Sequence, residues 1–191
     1  MEPRLEPEEI EFFQELMRTK APGTKMVEWG SGGSTMMFLP HFDTGSLVSV
    51  EHNQEWRDKV VKAVTEANFK PEILQNFTYC WRPPHQDNAL VSLGFHGYGI
   101  PYEECPTFAA NYINPEVEGV VSIWDADVFF IDGICRGAIL ATLQKKAINR
   151  SARIFLHDAH GPEQRESWYR WSTDLYSERT KVGPTLLELR L

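Results

Sequence analysis

Met26-Val27-Glu28-Trp29-Gly30-Ser31-Gly32-Gly33-Ser34-Thr35 decides how this chain is read. Residues of strand type run straight into a cluster of glycines, and the pattern then turns helical. A second apolar run, Leu47-Val48-Ser49-Val50-Glu51, follows and ends in an acid. Strand, glycine turn, helix N-terminus and strand-end acid form the arrangement that a nucleotide-like cofactor needs. Glycine lets backbone approach a ligand without a Cβ in the way. The helix start supplies free N–H groups, and the acid accepts hydrogen bonds from ribose hydroxyls. Glu51 stands 18 residues after Gly33, close to the roughly 20 expected of a ribose acid.

The glycine spacing separates two cofactor classes. A dinucleotide fingerprint wants G-x-G-x-x-G, and Thr35 occupies its sixth position. An acid followed by G-x-G-x-G fits better as Glu28-x-Gly30-x-Gly32, with Ser34 where the third glycine would stand. This resembles motif I of the class I S-adenosylmethionine-dependent methyltransferases. The fuller set, E-W-G-S-G-G-S-T with V-S-V-E-H-N and F-F-I-D-G-x-x-R, is similar to that of a small methyltransferase-like group. The resemblance implies a Rossmann-like α/β sandwich. Its mostly parallel seven-stranded sheet would close in a C-terminal antiparallel hairpin. It also implies S-adenosylmethionine as cofactor, with Glu28 near the methionine end and Glu51 on the ribose. The candidate cofactor residues are Glu28, Trp29, Gly30, Ser31, Gly32, Gly33, Ser34 and Thr35, joined by Glu51, His52 and Asp132.

The length of 191 residues suits one domain over 1–191 with a single substantial core. The start is acidic and lacks the layout of a secretory or transit signal. Cys80, Cys105 and Cys135 form neither a disulfide framework nor a C-x-x-C site, which suits a reducing, cytoplasmic setting. No apolar run approaches a membrane span. A net charge of −8 disfavours nucleic acid as partner, because gripping phosphates takes a basic surface. One basic patch, Lys145, Lys146, Arg150 and Arg153, runs against that trend.

Along the chain, Pro7 to Lys20 reads as a helix with Ile10, Phe13, Leu16 and Met17 on one face and acids in its first turn. Within an N-terminal segment 1–23, it serves either as a lid or as a plain outer-layer helix. Thr35 to Leu39 and Gln54 to Asn68 read as helices, the second capped by Asn53 with Trp56, Val60, Val64 and Ala67 inward. Gln75 to Trp81 reads as a third strand, followed by no acid that could hold an adenine amine before Asp87. Residues 85–119, rich in glycine and aromatics, read as a substrate lid or a buried connector. Asp127 to Asp132 is a buried strand ending in an acid, and Arg136 lies about one turn into the helix beyond. Ala152 to Leu156 is a further strand, ending in His157-Asp158-Ala159-His160.

Ligands of open parallel sheets bind beyond the carboxyl ends of the strands, which assembles Asp132, His157 and Asp158 as the candidate catalytic group. For a hydroxyl acceptor, Asp158 or His157 would serve as base and Asp132 would orient. Each of them has a structural reading too, as a cap or loop anchor. In the catechol-type branch of the family, acids at the ends of the fourth and fifth strands bind a divalent cation. Asp132, Asp158 and His160 could imitate that set. Here, however, Ala159 stands where that branch has asparagine, so no metal is expected. Two functions follow. One is methyl transfer to a small molecule or protein. The other is a catalytically inactive binding or assembly subunit with a protein partner.

Overall fold

The computed structural model describes residues 1–83, 110–117, 119–120, 122–160 and 165–191, with 165–168 as backbone alone. Most of the expected lid at 85–119, including Asp87, therefore lies outside the described residues. Short apolar runs separated by helical segments build one parallel sheet. Its strands are β1 (Lys25–Trp29), β2 (Ser46–Glu51), β3 (Phe77–Trp81), β4 (Val128–Ile131) and β5 (Arg153–Leu156). The antiparallel pair β6 (Glu178–Lys181) and β7 (Leu187–Arg190) completes it. The order is β3-β2-β1-β4-β5-β7-β6, the seven-stranded, hairpin-closed methyltransferase-type sandwich expected from the sequence. Strand order reverses between β1 and β4, and the register there sets Trp29 beside Val50 on one side and Ile131 on the other. Leu156 pairs with Ile131 in turn. Gly30, Glu51, Asp132 and His157 thus leave the sheet at one level.

The period of two along each strand sends alternate side chains to two cores. Met26, Val128, Phe130 and Phe155 enter one cluster, while Val27, Trp29, Phe129 and Ile131 enter the other. The first core is covered by α1 (Pro7–Thr19), α2 (Gly33–Phe38), a 3₁₀ turn Leu39–His41, α3 (Gln54–Glu66) and α4 (Pro71–Gln75). Cys135 begins α6 (Arg136–Lys146) from a left-handed conformation. That helix is buried on nearly every side from Arg136 to Leu143, lying between the sheet and α7 (Arg165–Thr173). A short helix, α5 (Ala110–Ile113), rests against its flank.

Several boundaries differ from the sequence reading. The third strand begins at Phe77, because Pro71 at the first helical position starts α4 and Asn76 ends it. The helix expected to reach Asn68 stops at Glu66. Asn68 takes a positive φ of 52°, and of its expected inward stripe only Val60 is fully buried. The first helix is not a peripheral cover. Phe13 is wholly buried and meets Phe38, Phe130 and Phe155 edge to face at 5.1–5.3 Å between ring centroids. Glu9, one of the acids of its first turn, is also buried, where it accepts hydrogen bonds from the Thr185 N–H and hydroxyl. No described helix is long and apolar enough to cross a membrane.

If α1 is part of the core, Phe13→Ala will lower unfolding free energy in urea by about 3–5 kcal/mol, the usual cost of emptying a buried aromatic site. A loss under about 1 kcal/mol would mark the helix as a detachable cover.

Candidate functional site

The turn after β1 is shaped by a close approach between strand exits. Gly30 has a φ of +90°, and a Cβ there would come within 2.5 Å of the Gly133 nitrogen. The Gly30 N–H donates to Val50 and the Asp132 N–H to Trp29, which locks the ends of β1, β2 and β4 together. At Gly32 a Cβ would meet nothing, so this side of the turn is open space. A cleft of about 410 Å³ lies above, within the range of small-ligand sites. Gly30, Ser31, Gly32, Gly33, Ser34, Glu51, His52, Asp132, His157 and Asp158 all line it.

Three of the expected cofactor residues lie beneath the cleft instead. Trp29 points into the opposite core, where its indole N–H donates to the Tyr112 carbonyl at 2.9 Å. Glu28 is fully buried and accepts from the hydroxyls of Ser34, of Thr35 (2.7 Å) and of Ser49 (2.8 Å). Burial pushes its carboxyl up to about 7 against the pull of those three donors. The departure from glycine at Ser34 thereby acquires a structural purpose. Its hydroxyl helps to hold the first turn of α2 onto the buried acid.

Glu51 is 1% exposed and nearly saturated. One carboxylate oxygen accepts from the Ser31 N–H and hydroxyl, each at 2.8 Å. The other accepts from the N–H groups of His52 (2.8 Å) and Asn53 (2.7 Å). Burial alone would raise its pKa, but the His52 ring and these donors outweigh it and hold the group below the usual carboxylate range. A carboxylate offers about four lone-pair sites, so a ribose diol must displace a donor. The Ser31 hydroxyl is the replaceable one, because it already has a second partner in the Tyr79 hydroxyl at 2.7 Å. With that exchange, the residues fit an adenosyl group.

The other half of the cleft is an ion-pair network. Arg136, 3% exposed, donates to the carbonyls of Gly133, His157 and Asp132. It also lies 3.2 Å from the Asp132 carboxylate and 3.3 Å from that of Asp158. His157 Nδ1 is 2.6 Å from Asp132, and Nε2 is 3.8 Å from the buried carboxylate of Glu9. Burial disfavours the imidazolium, yet the hydrogen bond and charge of Asp132, helped by Asp158, raise the His157 pKa. Both ring nitrogens face carboxylates. Asp132, His157 and Asp158 offer ligand atoms within 4.8 Å of one another, a spacing that could hold a cation. The Arg136 guanidinium already lies beside both aspartates and competes for the same oxygens. His160, considered from the sequence as a third ligand, does not belong to this cluster.

Sequence reasoning missed three parts of the site. Residues 1–5 cross one wall, with the Glu2 carbonyl pressed so close to Gly33 that a Cβ there would meet it at 2.0 Å. Arg4 lies over the Trp56 ring at 5.2 Å, which anchors this strap to α3. Glu9 reaches His157 from α1, and Tyr112 reaches Gly133 from α5. No spacing pattern marks such contacts, because they join segments remote in sequence.

No family model matches the sequence, and no curated protein does either. Solved structures do share the fold. A methyltransferase-like protein from Silicibacter pomeroyi superposes with a TM-score of 0.68 at 18% identity, covering 99% of this chain and 88% of its own. A putative caffeoyl-CoA O-methyltransferase from Staphylococcus aureus gives 0.57 at 12%, over 99% and 86%. An S-adenosylmethionine-dependent O-methyltransferase from Thermotoga maritima gives 0.59 at 10%, over 100% and 67%. The chain therefore has the Rossmann-like fold of the S-adenosylmethionine-dependent methyltransferases.

The raised pKa values of Glu28 and His157 set a pH dependence with one sign. Each folded-state value lies above the unfolded one, so each contribution is complete at low pH and is lost as pH rises through the folded pKa. For Glu28 that window runs from the ordinary 4.5 to about 7. Urea unfolding will show stability falling from pH 5 to pH 8 by up to about 3 kcal/mol. Glu28→Gln will flatten most of that slope, and a flat wild-type profile would mean that Glu28 is ionised throughout.

Proposed function

We propose that this chain binds S-adenosylmethionine between the Gly30 turn and Glu51 and transfers its methyl group to a small-molecule or protein acceptor. One observation carries the reading. The ends of β1, β2, β4 and β5 deliver a glycine turn, a ribose-competent acid and an aspartate pair to a single cleft at the reversal of strand order. The bound cofactor supplies an electrophilic methyl on a sulfonium, so the protein's share is positioning and a dry, polarised site. Glu51 takes the ribose hydroxyls as Ser31 turns to Tyr79. The open side of Gly32 admits the ligand against backbone. Arg136 holds the strand ends that carry Asp132 and Asp158 at fixed separation.

Asp158 is the better base of the two candidates. Its side chain is 31% exposed, whereas that of His157 is 7% exposed and has a carboxylate at each ring nitrogen. A carboxylate is a weak base, and it suits an acceptor whose proton is already acidic, such as a phenol, more than an aliphatic alcohol. Asp132 keeps His157 in place and orients the pair.

The same network supports a second reading, a methyltransferase-like module that binds without catalysis. Arg136 compensates the aspartates internally, and the strap on Gly33 narrows the entrance. Calorimetry with S-adenosylmethionine and S-adenosylhomocysteine tests the cofactor claim of the first reading. The wild type will bind, and Glu51→Ala will weaken binding by about tenfold or more, the scale of a charged hydrogen bond. No heat with either ligand at millimolar concentration defeats the proposal. With an acceptor that supports turnover, Asp158→Asn will slow methylation by about a hundredfold or more and leave cofactor affinity unchanged. Binding without turnover over a broad acceptor panel would favour the second reading.

A further inference from the structure

Tyr112 lies on α5 and is 1% exposed, yet among the described residues its phenol oxygen has no hydrogen-bond partner. The residue is otherwise firmly held. Its carbonyl accepts from the Trp29 indole, and its ring meets the His52 ring edge-on at 5.1 Å between centroids. The hydroxyl occupies the place where a side chain at residue 133 would begin, since a Cβ on Gly133 would come within 1.8 Å of it. Gly133 and His52 both line the cleft and stand between it and Tyr112, so a ligand meets the hydroxyl when one of them shifts, and Glu51, Asp132 and Arg136 are near enough to act on the phenol electrostatically. Burial raises its pKa well above the ordinary 10, so the group remains a proton donor.

A buried hydroxyl without a partner destabilises a fold, and natural proteins rarely leave one unless a ligand or water completes it. Phenylalanine would fill the same core space without that cost. The glycine at 133 adds a second sign, because the chain leaves room there for the hydroxyl instead of a side chain.

We propose that Tyr112 is a cofactor-contacting residue whose hydroxyl donates a hydrogen bond to an acceptor atom in the nucleoside half of the bound cofactor. The proposal rests on the S-adenosylmethionine reading above. Its neighbours assign the half. His52, against which the Tyr112 ring packs, follows the ribose acid Glu51 directly in the chain. The nucleoside supplies suitable acceptors in its sugar oxygens and ring nitrogens. Tyr112 also offers an answer to the lack of an acid soon after β3, since part of the nucleoside's recognition passes to a phenol on α5.

The test uses the full chain and Tyr112→Phe, which keeps the ring, with two readouts. Thermal unfolding without ligand will show the variant as stable as wild type or more so, because the free protein loses an unpartnered group. Calorimetry with S-adenosylhomocysteine will show affinity reduced about tenfold. Lower thermal stability, or unchanged affinity, overturns the proposal, since the hydroxyl would then serve the free fold or nothing. A cocrystal with S-adenosylhomocysteine in which the hydroxyl faces the homocysteine tail overturns the nucleoside assignment. Wild-type protein that binds no S-adenosylhomocysteine defeats the cofactor reading itself, a result distinct from wild-type binding that Tyr112→Phe leaves intact.

Discussion

The rest of the structure depends on the backbone of Gly30 lying against that of Gly133. A Cβ at residue 30 would come within 2.5 Å of the facing nitrogen, and the positive φ excludes most other residues in any case. This contact closes the gap between β1 and β4 at the point where strand order reverses. Because the strands share one register, the contact also fixes how far apart Glu51, Asp132 and His157 emerge. A bulkier turn would separate the acid expected to hold the ribose from the aspartates expected to face the acceptor. The cleft exists because two strand exits touch.

Acids dominate this edge, and the fold treats each by a different physical means. Glu28 is buried without a cation and is tolerated through three hydroxyl donors and a carboxyl poised near neutrality. Glu51 is buried but kept ionised by the His52 ring and by the N–H groups of its own turn. Asp132 and Asp158 share a buried guanidinium, and Glu9 approaches His157 from α1. Removing one member of such a network leaves its partner as an uncompensated buried charge, which costs more than the pair gains. Arg136 is thus tied to folding as well as to the proposed function, and its substitution would not separate the two roles.

Individual strands were legible in the sequence because strand patterning and glycine punctuation are local signals, whereas the seven-stranded sheet with its closing hairpin followed from the resemblance to the methyltransferases. The place of Glu51, Asp132 and His157 at one edge of the sheet was legible for the same reason, as each directly follows or ends an apolar strand. What escaped was set by tertiary contact. Glu9 looks like an ordinary first-turn acid until Thr185, 176 residues away, gives it two donors. Pro71 nucleates a short helix that strand propensity across Gln75 to Trp81 concealed. The strap on Gly33 comes from residues 1–5, which carry no periodicity at all.

Ser34 shows how a departure from a pattern can mislead in a particular direction. Read along the chain, a serine in place of the third glycine weakens the cofactor assignment, because glycine there lets a ligand approach backbone. In three dimensions its hydroxyl turns toward Glu28, on the face of β1 that also carries Met26, while the cleft is served by the open side of Gly32. The pattern assumes that every residue of the turn answers to the ligand. Here one side of the turn opens on the cleft at Gly32 and the other answers to a buried acid. Glu28 needs hydroxyl donors from α2, and the first turn of α2 is the nearest place to find them. Ser34 and Thr35 follow from burying an acid at residue 28, so the departure from the pattern does not count against the proposed cofactor.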